Sequence, residues 1–309
     1  MKSDSKLERL LRAGQFVVCG EMSPPQSADA APIAKKCGYF KGYVDAVNLT
    51  DNQTAIVRMS SVMSGHFALS GGVEPIIQMT CRDRNRLAIQ SDILAAGAVG
   101  IKNILCLTGD HQKFGNHPDA KPVFDLDSTQ LIGMVKKMRD EKKFLSGDDI
   151  KQEPKMFIGG AANPFGEPFE MRVLNLAKKI AAGVDFIQTQ PVFDVPRFKK
   201  WMNAVRDEGM DKDVFILAGV MPVRSVKALI HMRDNVPGMR ISPDYIKRME
   251  SIKEKEAAME EGVKIAVEII KELKEIPGVA GVHLMPVMWE SITPRIVEEA
   301  GLLPRPSAD

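Results

Sequence analysis

The chain has little that marks a secreted, membrane-bound or nucleic-acid-binding protein. Among 309 residues there are four cysteines, Cys19, Cys37, Cys81 and Cys106, and no two form a CxxC pair. This spacing speaks against a zinc or iron–sulfur site and for buried, reduced thiols. No run of 18 apolar residues occurs, and the opening MKSDSKLERLLRAGQ is too polar for a signal peptide. A cytoplasmic protein without a membrane span is expected. Basic and acidic residues number 42 and 40, a net charge of +2, so no field gathers nucleic acid or an anionic membrane. GxGxxG and GxxxxGK are absent, which disfavours Rossmann and P-loop nucleotide sites. The five histidines, His66, His111, His117, His231 and His283, show no HExxH or closely paired spacing, so no metal site is expected.

What is present is a rhythm. Eight short apolar runs recur: Phe16 to Glu21, Tyr43 to Asp51, Glu74 to Cys81, Asn103 to Asp110, Met156 to Pro164, Phe186 to Asp194, Phe215 to Val223 and Gly281 to Trp289. Helical spacing fills the gaps, over 55–64, 84–96, 129–142, 169–182, 195–206 and 226–233. Strands alternating with helices over this length predict an α/β fold, a single (β/α)8 TIM barrel spanning 1–309. An N-terminal helix within 1–14 would close the bottom. The segment 241–276 reads as two helices, one of them extra, before the eighth strand, and 302–309 as a flexible tail. LAAGAVGIKNILCL and IAAGVDFIQTQ repeat a helix–glycine–strand phrase, in which glycine supplies a left-handed turn. The polar stretch His111 to Asp127 is long for a barrel loop, which suggests function or a lid.

In such a barrel the residues that end the strands share one mouth. Glu21 ends the first run beside Pro24-Pro25; there, burial would raise its pKa and make it a general acid, or a salt bridge would make it structural. Thr108, Gly109 and Asp110 end the fourth. The aspartate either faces a bound ring or caps the next segment. Gln190, before Pro191, offers an amide to a heterocycle edge. Thr50, Asp51 and Asn52 end the second strand, while Gln78 and Thr80, two apart, face one side of the third. Lys178 and Lys179, one turn after Asn175, would ordinarily be a solvated helix face.

These marks, in order and spread over eight strands, resemble the methylenetetrahydrofolate reductase family from about Phe16 to Leu303. The resemblance implies a flavin-dependent reduction of 5,10-methylenetetrahydrofolate to 5-methyltetrahydrofolate, a ping-pong hydride transfer through reduced flavin. Glu21 would be the catalytic carboxylate, and Asp110 the aspartate that moderates the flavin and meets the pterin. Gln190 would contact the folate. Thr50, Gln78, Thr80, Thr108, Gly109, Ala162, Asn163, Asn175, Lys178 and Lys179 fall at flavin positions, the lysines on its phosphate side. The sequence departs from the family at Thr108, where an arginine is common, and at Asn163 and Glu167, which replace a tyrosine and a histidine. Val226 replaces an aromatic residue. FAD follows from the family, while FMN follows from these altered contacts. NADH, NADPH or an electron-delivering partner subunit would supply the electrons, in a homo- or hetero-oligomer. The rival readings are a pterin-binding barrel methyltransferase and a flavin- or folate-binding subunit.

Overall fold

A strand flanked by strands on both edges and covered on both faces is buried along its whole length, which favours apolar residues and leaves polar ones only where a partner or a ligand meets them. The third run obeys this, with all six residues of PIIQMT buried. In the computed structural model, which describes residues 1–236 and 238–307, the eight runs form strands β1 (Val17–Met22), β2 (Ala46–Leu49), β3 (Pro75–Thr80), β4 (Asn103–Leu107), β5 (Phe157–Ala162), β6 (Phe186–Pro191), β7 (Phe215–Val220) and β8 (Val279–Leu284). They close in chain order into a parallel barrel, β8 pairing with β1 through Val17, Val18 and Cys19. The helices are α1 (Lys6–Arg12), α2 (Ala31–Phe40), α3 (Ser61–Ser70), α4 (Arg86–Ala98), α5 (Ser128–Asp140), α6 (Phe169–Ala182), α7 (Val195–Asp207), α8 (Val226–Asn235), α9 (Pro243–Glu250), α10 (Lys255–Lys274) and α11 (Thr293–Glu299). Among the described residues, no helix is long and apolar enough to cross a membrane.

Alternation along the strands divides the core in two. Outward side chains such as Val18, Ile77, Cys106 and Ile216 pack under the helices. Inward ones (Val17, Cys19, Ala46, Ile76, Leu105, Phe157, Phe186 and Leu217) fill the barrel. Phe157 and Phe186 stack at 5.2 Å, and a Cβ on Gly159 would come within 2.4 Å of the Phe186 ring. Leu7, Leu10 and Leu11 of α1 seal the lower end.

The plug is held by Glu8, a buried carboxylate that accepts from the Lys2, Ser3 and Asp4 amides and from Arg12. Burial alone would raise its carboxyl, but the Lys2 and Ser3 amides, Arg12 and the Ser3 hydroxyl outweigh it, leaving a pKa of about 2. A carboxyl lowered on folding contributes stability in full above its unfolded value, near 4.5, and loses it as pH falls toward about 2. Glu8→Gln is therefore expected to cost on the order of 2 kcal/mol at neutral pH. It should also flatten the decline in stability between pH 5 and pH 2, measured by urea unfolding. An unchanged acid limb would refute the assignment.

Local chemistry moved several boundaries. The helix expected at 55–64 begins instead at Ser61, because the Ser60 side chain caps it by accepting from the Met63 amide. Upstream, Asn52, Thr54 and Ala55 are left-handed, which leaves no α-helix there but a single 3-10 turn, Gln53–Ala55. Helices α2 and α11 complete the alternation of strands and helices, after β1 and β8. Gly183 ends α6 in the left-handed conformation, as expected, whereas in the twin phrase Gly97 lies inside α4 and Gly100 makes the turn. The extra helix before β8 is α9. In the segment expected to fray, Leu302 is buried and Arg305 reaches Asp45 and the Phe16 carbonyl; 308 and 309 lie outside the described residues.

Candidate active site

Toward the C-terminal ends of the strands, the inward positions change from apolar to polar. Asn48 of β2, Gln78 of β3, Gln188 of β6 and His283 of β8 are all buried there, beside Glu21 of β1. Gln78 Nε2 donates to Glu21 Oε2 at 3.2 Å, and His283 Nε2 stands 3.5 Å from the same oxygen. Asn48 Oδ1, both amide atoms of Gln188 and both ring nitrogens of His283 are buried without a hydrogen-bond partner. Buried polar groups are nearly always paired, so orphans clustered on one floor mark a surface built for a polar ligand.

Above the floor, the loops are fixed by charge. Asp51, just past β2, accepts from the Thr80 amide and hydroxyl at 2.9 Å each and takes a bidentate pair from Arg84 at 2.7 and 2.9 Å. Arg82 is almost wholly buried; it donates to the Asp110 and Asn52 carbonyls and pairs with Asp83. The Cys81 and Arg82 carbonyls accept from Phe124 and Val123, at the far end of the long loop. Gly115 packs where a Cβ would lie 1.8 Å from the Ala55 carbonyl oxygen. The stretch 111–127 is thus moored along the β2 and β3 rim.

The sequence-derived residues fall on two parts of this mouth. Glu21, Gln78, Thr50 and Thr80 lie on the β1–β3 side. Thr50 donates its hydroxyl to Gln53, and the Thr80 hydroxyl is committed to Asp51. Strand β4 stops at Leu107, so Thr108, Gly109 and Asp110 form the turn beyond it rather than its end. Gly109 has φ +94°, with Thr80 and Arg82 each 3.1 Å from the place of a Cβ, so only glycine fits. Asp110 is exposed.

The second part is a cleft of about 370 Å³ whose walls include Thr108, Ala162, Asn163, Asn175, Lys178, Lys179 and Gln190. Asp127, Ser128 and Thr129 at the start of α5, with Ala161, Arg172 and Leu176, complete it. Lys179 donates to the Ala161 carbonyl, and burial lowers its pKa from the usual lysine range. Arg172 Nε is buried without a partner. Glu167 is drawn to Arg197, 2.6 Å away, and Asn163 Oδ1 accepts from the Phe165 amide. Sequence reasoning missed Asn48, Gln188, His283 and Arg172. Gln188 was within reach, since it lies two before Gln190 and must face the same way.

A family model described as methylenetetrahydrofolate reductase matches residues 6–301. The chain is 26% identical over 236 residues to methylenetetrahydrofolate reductase 1 of Schizosaccharomyces pombe, covering 75% of this chain and 36% of that protein. It is 24% identical over 311 residues to the probable methylenetetrahydrofolate reductase (NADPH) of Caenorhabditis elegans, covering 96% and 44%. With 5,10-methylenetetrahydrofolate reductase of Salmonella typhimurium it shares 23% over 297 residues, 94% and 93% of the two chains. It therefore spans less than half the length of those two eukaryotic relatives and nearly all of the bacterial one. Among solved structures, an uncharacterized protein from Clostridium thermocellum that binds two copies of 5-methyl-5,6,7,8-tetrahydrofolic acid superposes with a TM-score of 0.61 at 13% identity, covering 97% and 99%. Tryptophan synthase from M. tuberculosis gives 0.53 at 10%, covering 97% and 98%. Likeness at such identities is one of fold.

Proposed function

Because the chain belongs to the methylenetetrahydrofolate reductase family, we propose that its barrel mouth reduces 5,10-methylenetetrahydrofolate to 5-methyltetrahydrofolate with a bound flavin. The observation that carries this reading is Glu21, a carboxylate set among buried polar groups that lack partners. The residues fit a flavin in two respects. The orphaned atoms of Asn48 and Gln188 suit the edge of a nitrogen heterocycle, and the cleft at Arg172, Lys178 and Lys179 suits a phosphate. When bound, the flavin would supply the hydride that the methylene carbon receives.

The chain's own share is orientation and proton supply. Glu21, protonated, gives its proton to the amine nitrogen that departs as the five-membered ring opens, which spares that nitrogen a negative charge. Gln78 holds the carboxyl in place through Oε2. Asp110, on the loop beyond β4, is the acidic group proposed to face the ring system, and Gln190 the amide that meets the folate. The lysines take the phosphate end.

The adenosine half of a dinucleotide finds less here. Glu167 is engaged by Arg197, and Asn163 is turned to its own loop. FMN, or a loosely held FAD, is the cofactor this favours; extraction that yields tightly bound stoichiometric FAD would refute it. A yellow protein with flavin absorbance excludes the pterin-methyltransferase alternative. Val226 at the start of α8, where the family carries an aromatic, favours electrons from a partner subunit over NADH or NADPH. Turnover of the isolated chain with either nucleotide would reject that preference. Lys179→Met is expected to weaken FMN binding about 10- to 100-fold, the loss of one charge-assisted hydrogen bond. Fluorescence titration of the apoprotein reads this directly, and unchanged affinity would remove the lysine from the phosphate site.

A further inference from the structure

His283 is buried without the pairing that a structural histidine ordinarily has. It is 4% exposed, yet neither ring nitrogen makes a hydrogen bond within the protein. A buried imidazole kept for structure ordinarily pairs through at least one nitrogen. Its ring instead points Nε2 toward Glu21 Oε2, 3.5 Å away, slightly beyond hydrogen-bond length. The strand register places it there: His283 lies level with Cys19 on β1 and Gly219 on β7, and Glu21 is two residues further along β1. The Cys19 thiol, level with His283 on β1, is pushed well above its usual range by burial and by Asp45 and Glu74, so it stays protonated. Asn48, Gln78 and Gln188, which share the floor, do not titrate.

We propose that His283 is the positioning residue of Glu21 and shares its proton. The proposal rests on the reading of Glu21 as the acid. With the site loaded, one transferable proton lies on the pair, as carboxylic acid and neutral imidazole or as carboxylate and imidazolium. That proton leaves from Glu21 Oε2 to the departing amine nitrogen. Neutral imidazole then donates its Nε2–H to the carboxylate left behind, stabilising the charge created by the transfer. Solvent returns one proton to the pair through the open mouth when product leaves.

The test uses the flavin-loaded full chain and follows the two half-reactions separately by anaerobic stopped flow. His283→Leu, which removes donor and proton alike, should slow the folate half-reaction about 30- to 100-fold. His283→Gln keeps a donor near the position of Nε2 and should recover part of that loss, to about tenfold. Flavin reduction should stay within about twofold in both. Placed on Glu21→Gln, neither substitution should slow folate turnover further. The imidazole signal that vanishes from the histidine NMR spectrum of His283→Gln should shift in Glu21→Gln. Equal loss in both half-reactions, a fully additive loss on Glu21→Gln, or an unmoved imidazole signal would overturn the proposal. Should Glu21→Gln alone leave the folate step intact, the acid assignment fails first and takes this proposal with it.

Discussion

Glu21→Gln is expected to slow the folate half-reaction by about 10²- to 10⁴-fold, the span usual for a positioned general acid. In barrier height this is about 3 to 5 kcal/mol. The substitution preserves shape, and a Gln oxygen can still accept from Gln78, so the floor should not collapse. What it removes is the transferable proton. Flavin reduction by a donor needs no proton from this group and should stay within about threefold. Single-turnover rates of the two half-reactions, measured on one preparation, separate these outcomes. Equal slowing of both would mean that Glu21 supports cofactor geometry instead of giving a proton.

The largest loss of stability is expected at Asp51. Its carboxylate, 1% exposed, gathers the Thr80 amide, the Thr80 hydroxyl and both arms of Arg84. Burial works against the Arg84 charge, but Asp51 outweighs it and holds the guanidinium above its ordinary range. Asp51→Ala would strand a half-buried guanidinium with Asp92 alone and orphan a buried amide. The expected cost is about 3 to 5 kcal/mol, as when one member of a buried pair is removed. Asp92, 40% exposed and bound to the same arginine, should cost less than about 1 kcal/mol when replaced by Ala. Urea midpoints at constant slope measure both. An Asp51→Ala protein within about 1 kcal/mol of wild type would show that the β2–β3 rim is not held by this pair. Because the same carboxylate fixes Thr80, retention of flavin should fall in parallel.

The barrel was legible because its signals are local. Each apolar run carries its own burial requirement, and eight of them in alternation admit few other arrangements. Glu21 was legible for the same reason, as a carboxylate ending a run that Pro24 and Pro25 forbid to continue. The helix at 55–64 misled, since apolar spacing does not register a serine cap or three left-handed residues. The notion of a frayed end missed Arg305, whose partner Asp45 lies 260 positions away.

The sequence by itself determined the fold, the end of the barrel that holds the mouth, and the family. It could do so because strand period, turn glycines and strand-end residues act over a few neighbours. Only the tertiary structure decided which side chains share the floor. It brought His283 to Glu21 across 262 positions, engaged Thr80 with Asp51, and set Arg172 beside Lys179 in one cleft. Those pairings depend on register and on the closure of β8 against β1, quantities fixed by packing the whole cylinder and by no short stretch of it.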